Sequence, residues 1–364
     1  MKIAFYGSSL LSSYWNGAAT YYRGLLRALA QIGHDITFYE PDILGRQQHR
    51  DIDPPSWCSV VVYEANPQSL VAVARQAGEA DVVVKASGVG YEDEALLLEV
   101  LRHRRPDSLA IFWDVDAPAT LAQLQQEPDH PLHRAFGKLD LVLTYGGGTM
   151  VSEAYRALGA RDCIPVYNAL DPHSHHPAAP DSRFAAELGF LGNRLPDREE
   201  RVREFFFAPA AILSDSSFVL GGSGWDDSER PANIRYVGHV GTCHHNAFNA
   251  SAKAVLNVSR ESMARNGFSP ATRIFEAAGA GACLISDTWP GVEEFLKPDR
   301  EILLARDGRD VAEILAGLTP AKARLIGDAA LQRVLDEHTY LRRATLADGI
   351  FRHFIGRNFM RAAE

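Results

Sequence analysis

Between Asn257 and Gly281 the chain sets an arginine and a carboxylate three residues apart, Arg273 and Glu276, shortly after Ser269 and Pro270. Serine followed by proline predicts a helix start, with Ser269 at the N-cap and Pro270 at the first helical position. The free amides and the dipole of such a start suit an anion, a diphosphate above all. Arg273, one turn in, can add a bidentate phosphate contact. Glu276 lies on a neighbouring part of the same surface and can accept hydrogen bonds from ribose hydroxyls. The plainer alternative is a capped helix with a surface Arg273–Glu276 ion pair. Upstream, Gly221-Gly222-Ser223-Gly224 follows an apolar run; such glycines let backbone approach a ligand, and their amides can nest a phosphate. His239 follows the apolar run 234–237.

Near the N-terminus, Trp15, Asn16 and Gly17 lie between the first strand and the first helix, where open α/β sheets hold ligands. They can touch a bound ligand there, or simply cover the sheet. Trp113-Asp114-Val115-Asp116 closes another strand at the same edge. Asp114 or Asp116 can serve as a general base toward a hydroxyl, or cap the following helix. His173, His175 and His176 fall in a proline-rich stretch without a matching carboxylate or cysteine cluster, and Cys243-His244-His245 has the same weakness. No metal site is expected at either place.

The elements that must position these residues follow a regular alternation. Short apolar runs at 3–6, 36–39, 60–63, 81–86, 109–113 and 139–144 read as strands, with helical spacing between most of them. The first helix spans 17–32 and stops at Gly33. This alternation predicts a parallel sheet covered on both faces. Residues 165–180 break the rhythm with prolines and histidines and read as a linker. Strands then recur at 187–191, 218–220, 234–237, 255–258, 282–286 and 301–305, and the pattern is helical from 321 onward. The expected architecture is α/β. An N-terminal Rossmann-like domain (1–168) is joined by a linker (169–180) to a second such domain facing it (181–338), and a terminal helix (339–364) packs back toward the first.

Composition bounds the function. The chain has 364 residues, 46% hydrophobic and 23% charged, with 37 basic against 46 acidic residues and a net charge of -9. That excludes a disordered chain and disfavours nucleic-acid or membrane-surface binding. Its 4 cysteines form no CxxC pair, which fits a reducing cytoplasm rather than a disulfide scaffold or a local zinc site. No apolar run is long enough for a signal peptide or a membrane span, so a cytoplasmic location is expected. The first strand lacks a compact GxGxxG turn and reads Gly7-Ser8-Ser9-Leu10-Leu11-Ser12, which disfavours a nicotinamide-dependent oxidoreductase.

The segment from Asn257 to Gly281 resembles the donor-nucleotide segment of GT-B fold glycosyltransferases, in particular the spore-maturation CgeB-like group close to glycosyltransferase family 4. The similarity continues through Leu284-Ile285-Ser286-Asp287, 291–295 and Glu301-Ile302-Leu303. Upstream it takes in Leu188-Gly189-Phe190-Leu191-Gly192-Asn193 with Asp197-Arg198, and the crossover-like Asn168-Ala169-Leu170-Asp171 ending at Pro177. The N-terminal half is similar more loosely, through Trp15-Asn16-Gly17, Arg23-Gly24 and the run beginning Gly33-His34-Asp35.

The resemblance implies a sugar transferase that takes a nucleoside-diphosphate sugar in the cleft between its domains. Ser269, Thr272, Arg273 and Glu276 would hold the nucleotide with Arg198 and Gly222, and His239 would sit near the base. Trp15, Asn16 and Gly17 would line the acceptor side. Arginines and amides neutralise the phosphates, so no metal or other cofactor is expected. The acceptor, whether small molecule, glycan or protein, is not specified. One position departs from the family: eight places before Glu276, where a second glutamate is usual, stands Phe268, or Asn266 if the alignment takes a gap, and the glutamate is missing either way, so neither the donor sugar nor a retaining outcome is implied. The alternatives are a sugar-nucleotide epimerase on the same fold and a nucleotide-binding module without catalysis.

Overall fold

The computed structural model describes residues 1–14 and 16–362, with the side chains of 358–362 left out. It divides into two compact units, Met1–Tyr167 with Tyr340–Glu364, and Asn168–Thr339. Residues 169–180, which composition reads as a linker, thus pack within the second unit, where Asn168, Ala169, Leu170 and His175 are buried.

The first unit is built on seven strands: β1 (Lys2–Tyr6), β2 (Asp35–Asp42), β3 (Ser59–Glu64), β4 (Val82–Ala86), β5 (Leu109–Asp114), β6 (Leu141–Thr144) and β7 (Cys163–Pro165). They run parallel in the order β3-β2-β1-β4-β5-β6-β7. Every residue of β4 and β5 is buried, as a sheet with helices on both faces requires. The edge strand β7 is absent from the sequence expectation; three residues ending in proline give too short a pattern to read, and proline is tolerated at an edge. The helix Tyr340–Ala362 belongs to this unit and packs on Ala19–Gln31. Gly24 makes that contact possible, since a Cβ there would lie 2.2 Å from the Tyr340 ring. His34 Nε2 also meets Asp348 at 3.1 Å.

The second unit has six strands: β8 (Ala186–Leu191), β9 (Phe218–Gly221), β10 (Ile234–Tyr236), β11 (Ala252–Asn257), β12 (Leu284–Asp287) and β13 (Leu303–Ala305). All pair parallel in the order β10-β9-β8-β11-β12-β13. Leu188, Phe190, Phe206, Phe218, Leu220, Leu256 and Ile285 anchor its core. Among the described residues no helix is long and apolar enough to cross a membrane.

Candidate functional site

In the second unit the loops after β8 and β9 and the start of the helix Thr272–Gly279 meet at the C-terminal edge of the sheet. Phe190, on β8, is fully buried in the core, yet its ring carries two guanidiniums: Arg273 at 5.1 Å and Arg198 at 5.7 Å from the centroid. Gly192 lets both converge, because a Cβ there would sit 2.9 Å from Arg198 Nη2 and 3.1 Å from Arg273 Nη2. Neither arginine makes an ion pair among the described residues. Arg198 donates to Asn193 O at 2.7 Å, while its Nε is buried without a partner. The neighbouring carboxylate, Asp197, is taken by Arg260 at 2.5 Å.

Burial, and then the charge of Arg198, push Arg273 down to about 9 against the opposing pull of Glu276. Burial likewise holds Arg198 below its ordinary value. Two half-buried cations side by side, neither in ion-pair contact with a carboxylate among the described residues, form a site that an anion would complete.

The helix start differs from the sequence expectation. Ser269 is not the N-cap, nor Pro270 the first helical residue; the cap position is Ala271, without a side-chain bond, and the helix begins at Thr272. The cause is the turn before it. Phe268 adopts φ 47°, its N–H donates to Pro290 O, and its ring fills the space where Gly291 has no Cβ. The buried Ser269 hydroxyl then donates back to Gly267 O at 3.0 Å, so it is spent on the loop. Thr272 is half-buried at the uncapped first turn.

Gly222 also has a different part from the one expected. Its N–H donates to Gly238 O rather than lying open to a phosphate. With φ 121° and a missing Cβ that would clash with Gly192 O at 2.3 Å, it lets the β9 loop press against the β8 loop and fix Gly192. His239 is exposed beyond Gly238 and lines a cavity of about 300 Å³ with Phe184, Arg235, Val237 and His244. A larger cavity of about 530 Å³, lined by Glu187, Lys253 and Cys283, lies at the opposite edge of the sheet, away from the arginines.

The helix carrying Arg273 places Glu276 one turn further on, half-buried. It makes no ion pair with Arg273 and instead approaches two histidines. His175 Nε2 lies 4.0 Å from Glu276 Oε1, and ligand atoms of His175, His245 and Glu276 all fall within 4.8 Å of one another. The sequence separates these residues widely, so the carboxylate missing from the histidine runs is supplied by the fold. His245 also meets Val240 O through Nε2 at 3.2 Å, and burial holds its ring below the usual histidine value.

In the first unit, Asp114 is fully buried and both carboxylate oxygens are engaged, which removes it as a general base toward a soluble hydroxyl. It accepts from Ser87 Oγ (2.6 Å), Asp116 N (3.0 Å), Thr120 Oγ1 (3.1 Å) and the Tyr155 hydroxyl. Burial raises its carboxyl above the usual value despite these donors. Asp114 thereby ties down the start of the helix Ala117–Gln126, and Asp116 stays half-buried at its cap position. Asn16 is likewise structural: its amide donates to Ser9 O and Ser12 O and accepts from Ser8 Oγ. Gly17 is exposed, and Trp15 lies outside the described residues.

The 7–17 loop is held from below by Glu40, which sequence reading missed. This fully buried carboxylate accepts from Ser9 Oγ, Leu10 N, Leu11 N and Gln47 Nε2. An acidic residue inside an otherwise apolar strand, as in Phe38-Tyr39-Glu40, was the available signal.

Residues 198–347 match a family model described as glycosyl transferase-like. No curated protein matches the chain. Among solved structures, sucrose-phosphate synthase from Thermosynechococcus elongatus is similar with a TM-score of 0.68 at 14% identity, covering 98% of this chain and 100% of that one. Anabaena Alr3699/HepE, solved in complex with UDP and glucose, gives 0.66 at 14% identity, covering 97% and 100%. AviGT4, a glycosyltransferase involved in avilamycin A biosynthesis, gives 0.62 at 17% identity, covering 98% of each chain. At such identities the likeness establishes the fold, which is GT-B. The matched domain and the fold agree on an enzyme of glycosyltransferase type.

Proposed function

We propose that the protein transfers a sugar from a nucleoside-diphosphate sugar to an acceptor hydroxyl, with the donor held by the second unit. The observation that carries this reading is the pair Arg198 and Arg273, two cations without an ion-pair partner among the described residues that share the Phe190 ring beside Gly192. A diphosphate supplies the missing negative charge, and the uncapped first turn at Thr272 adds amide donors. Glu276 is assigned to the ribose hydroxyls and the cavity at His239 to the base. That HepE was solved with UDP and glucose supports the choice of ligand class. Within the fold we assign the chain to the CgeB-like group, on the ordered motifs between 165 and 305.

The chemistry follows from where charge develops. The bond from the sugar anomeric carbon to the diphosphate oxygen breaks, the acceptor oxygen bonds to that carbon, and the acceptor proton passes to a base. Asp116 is the candidate for that base, since Asp114 is sealed off. Negative charge grows on the departing diphosphate, and preorganised guanidiniums stabilise it without reorganising. Two arginines at the phosphates make a metal ion unnecessary for leaving-group neutralisation in this scheme.

The test is a thermal-shift and calorimetry panel of UDP, GDP, dTDP, ADP and CDP. A ligand that binds only the native state raises its melting temperature by mass action. Selective stabilisation by one diphosphate, lost when Arg198 and Arg273 are both replaced by Met, is expected. Failure of every diphosphate to bind would overturn the reading.

A further inference from the structure

We propose that His175, His245 and Glu276 form a binding site for a divalent transition ion, with Zn²⁺ as the type ligand. The inference needs no nucleotide, but Glu276 is common to both readings: a bound ion would engage the carboxylate that the donor reading gives to the ribose, and a titration with metal alone separates the two. It begins with an orphan: the His175 side chain is 4% exposed, and its Nε2 has no hydrogen-bond partner. At 4.0 Å, Glu276 Oε1 is beyond hydrogen-bond reach. Leaving a buried polar atom unpaired is costly, and a ligand at this nitrogen would relieve that cost.

What surrounds that nitrogen is a ligand set. Ligand atoms of the three residues lie within 4.8 Å of one another. Around a tetrahedral ion with bonds of about 2.0–2.1 Å they would stand roughly 3.3 Å apart, so closure of up to about 1.5 Å is needed. Two imidazoles and one carboxylate match zinc and its borderline neighbours, whereas magnesium and calcium favour all-oxygen shells.

The frame around the ligands is fixed on both sides. Asn246, next to His245, donates to Ser174 O at 3.0 Å and accepts from His176 N at 3.4 Å, which clips the His175 segment to the helix His245–Ser251. His175 N donates to Asp171 O at 2.9 Å. Gly279, one turn after Glu276, has no Cβ where one would crowd Leu170 at 2.3 Å and His175 O at 3.2 Å. Supports of this kind hold the segments that carry the ligands in register.

The experiment uses the whole chain, freed of metal by chelator and dialysis, titrated with Zn²⁺ alone by calorimetry. A parallel titration with Co²⁺ alone follows its visible absorption, which reports a four-coordinate environment. One ion per chain is expected. His175→Ala, His245→Ala and Glu276→Gln should each weaken Zn²⁺ binding by at least about tenfold and abolish the cobalt spectrum. His173→Ala and His176→Ala, at exposed positions of the same run, should bind as the parent does. Circular dichroism checks each fold, and if His175→Ala does not fold, His245→Ala and Glu276→Gln carry the test. Absence of stoichiometric binding, or binding unchanged in the His245 and Glu276 variants, would overturn the site.

Discussion

Replacing Arg273 by methionine should move stability and ligand affinity in opposite directions. Methionine keeps the unbranched stem against Phe190 and removes only the charge and the donors. In the ligand-free protein that charge is a burden. The Nη2 atoms of Arg198 and Arg273 both lie about 3 Å from one point beside Gly192, hence within about 6 Å of each other. At an effective dielectric constant near 20 their repulsion is on the order of 3 kcal/mol. Against it stand one cation–π contact, worth about 0.5–2 kcal/mol, and the pull of Glu276, weaker than the repulsion from Arg198. The free variant should therefore melt no lower than the parent, and most of the balance favours a rise.

With a diphosphate bound the sign reverses. Charge-assisted hydrogen bonds contribute about 1.5–3 kcal/mol, so pyrophosphate and nucleoside diphosphates should bind about 10–150-fold more weakly. Calorimetry at low salt measures the affinity and differential scanning measures the melting point. Inorganic pyrophosphate is the sharper probe, since it isolates the anion site from the base. If Arg273→Met lowers the melting point by several degrees and leaves diphosphate affinity unchanged, the arginine is a packing residue and the reasoning fails. Arg198→Met should behave alike, and the double variant should lose less than the sum, because the remaining cation relaxes once its neighbour is gone.

Glu276→Ala should weaken nucleoside diphosphate binding while leaving pyrophosphate affinity within about twofold, because a ribose contact is worth roughly one neutral-to-charged hydrogen bond and the phosphates do not use it; paired titrations read this directly. Asp114→Ala should destabilise the fold by about 3 kcal/mol in chemical denaturation, since four donors lose their acceptor inside the first unit. Asp116→Asn should leave the melting point unchanged and lower sugar-transfer turnover by about 10²–10⁴-fold, the usual contribution of a general base, and unaltered turnover would dismiss it from that role. Gly222→Ala should cost at least about 2 kcal/mol and weaken pyrophosphate binding as well, because a Cβ at φ 121° meets Gly192 O at 2.3 Å and displaces the loop beneath the arginines.

The scaffold was legible because a parallel sheet writes itself into the chain as apolar runs at regular spacing. Runs such as Val82-Val83-Val84 and Leu109-Ala110-Ile111 have no other economical use. Local chemistry was less legible wherever a distant residue decides it. Ser269-Pro270 has the composition of a helix start, yet Pro290 and Gly291 turn Phe268 and delay the helix to Thr272. Asp114 and Asp116 look equivalent in sequence; only the pairing of β5 with its neighbours and the approach of Tyr155 seal one and leave the other reachable.

The donor site shows the limit most clearly. In the sequence each of its arginines has a carboxylate nearby, Asp197 beside Arg198 and Glu276 three residues after Arg273, and for Arg273 the plainer reading is a surface ion pair. The fold withholds both. Asp197 turns to Arg260, and Glu276 is drawn toward His175 and His245, while Gly192 and Phe190 gather the two released guanidiniums into one place. An anion site of this kind consists of counter-ions spent elsewhere. Residue types near a motif cannot reveal that, because it depends on which partners the rest of the unit has already claimed.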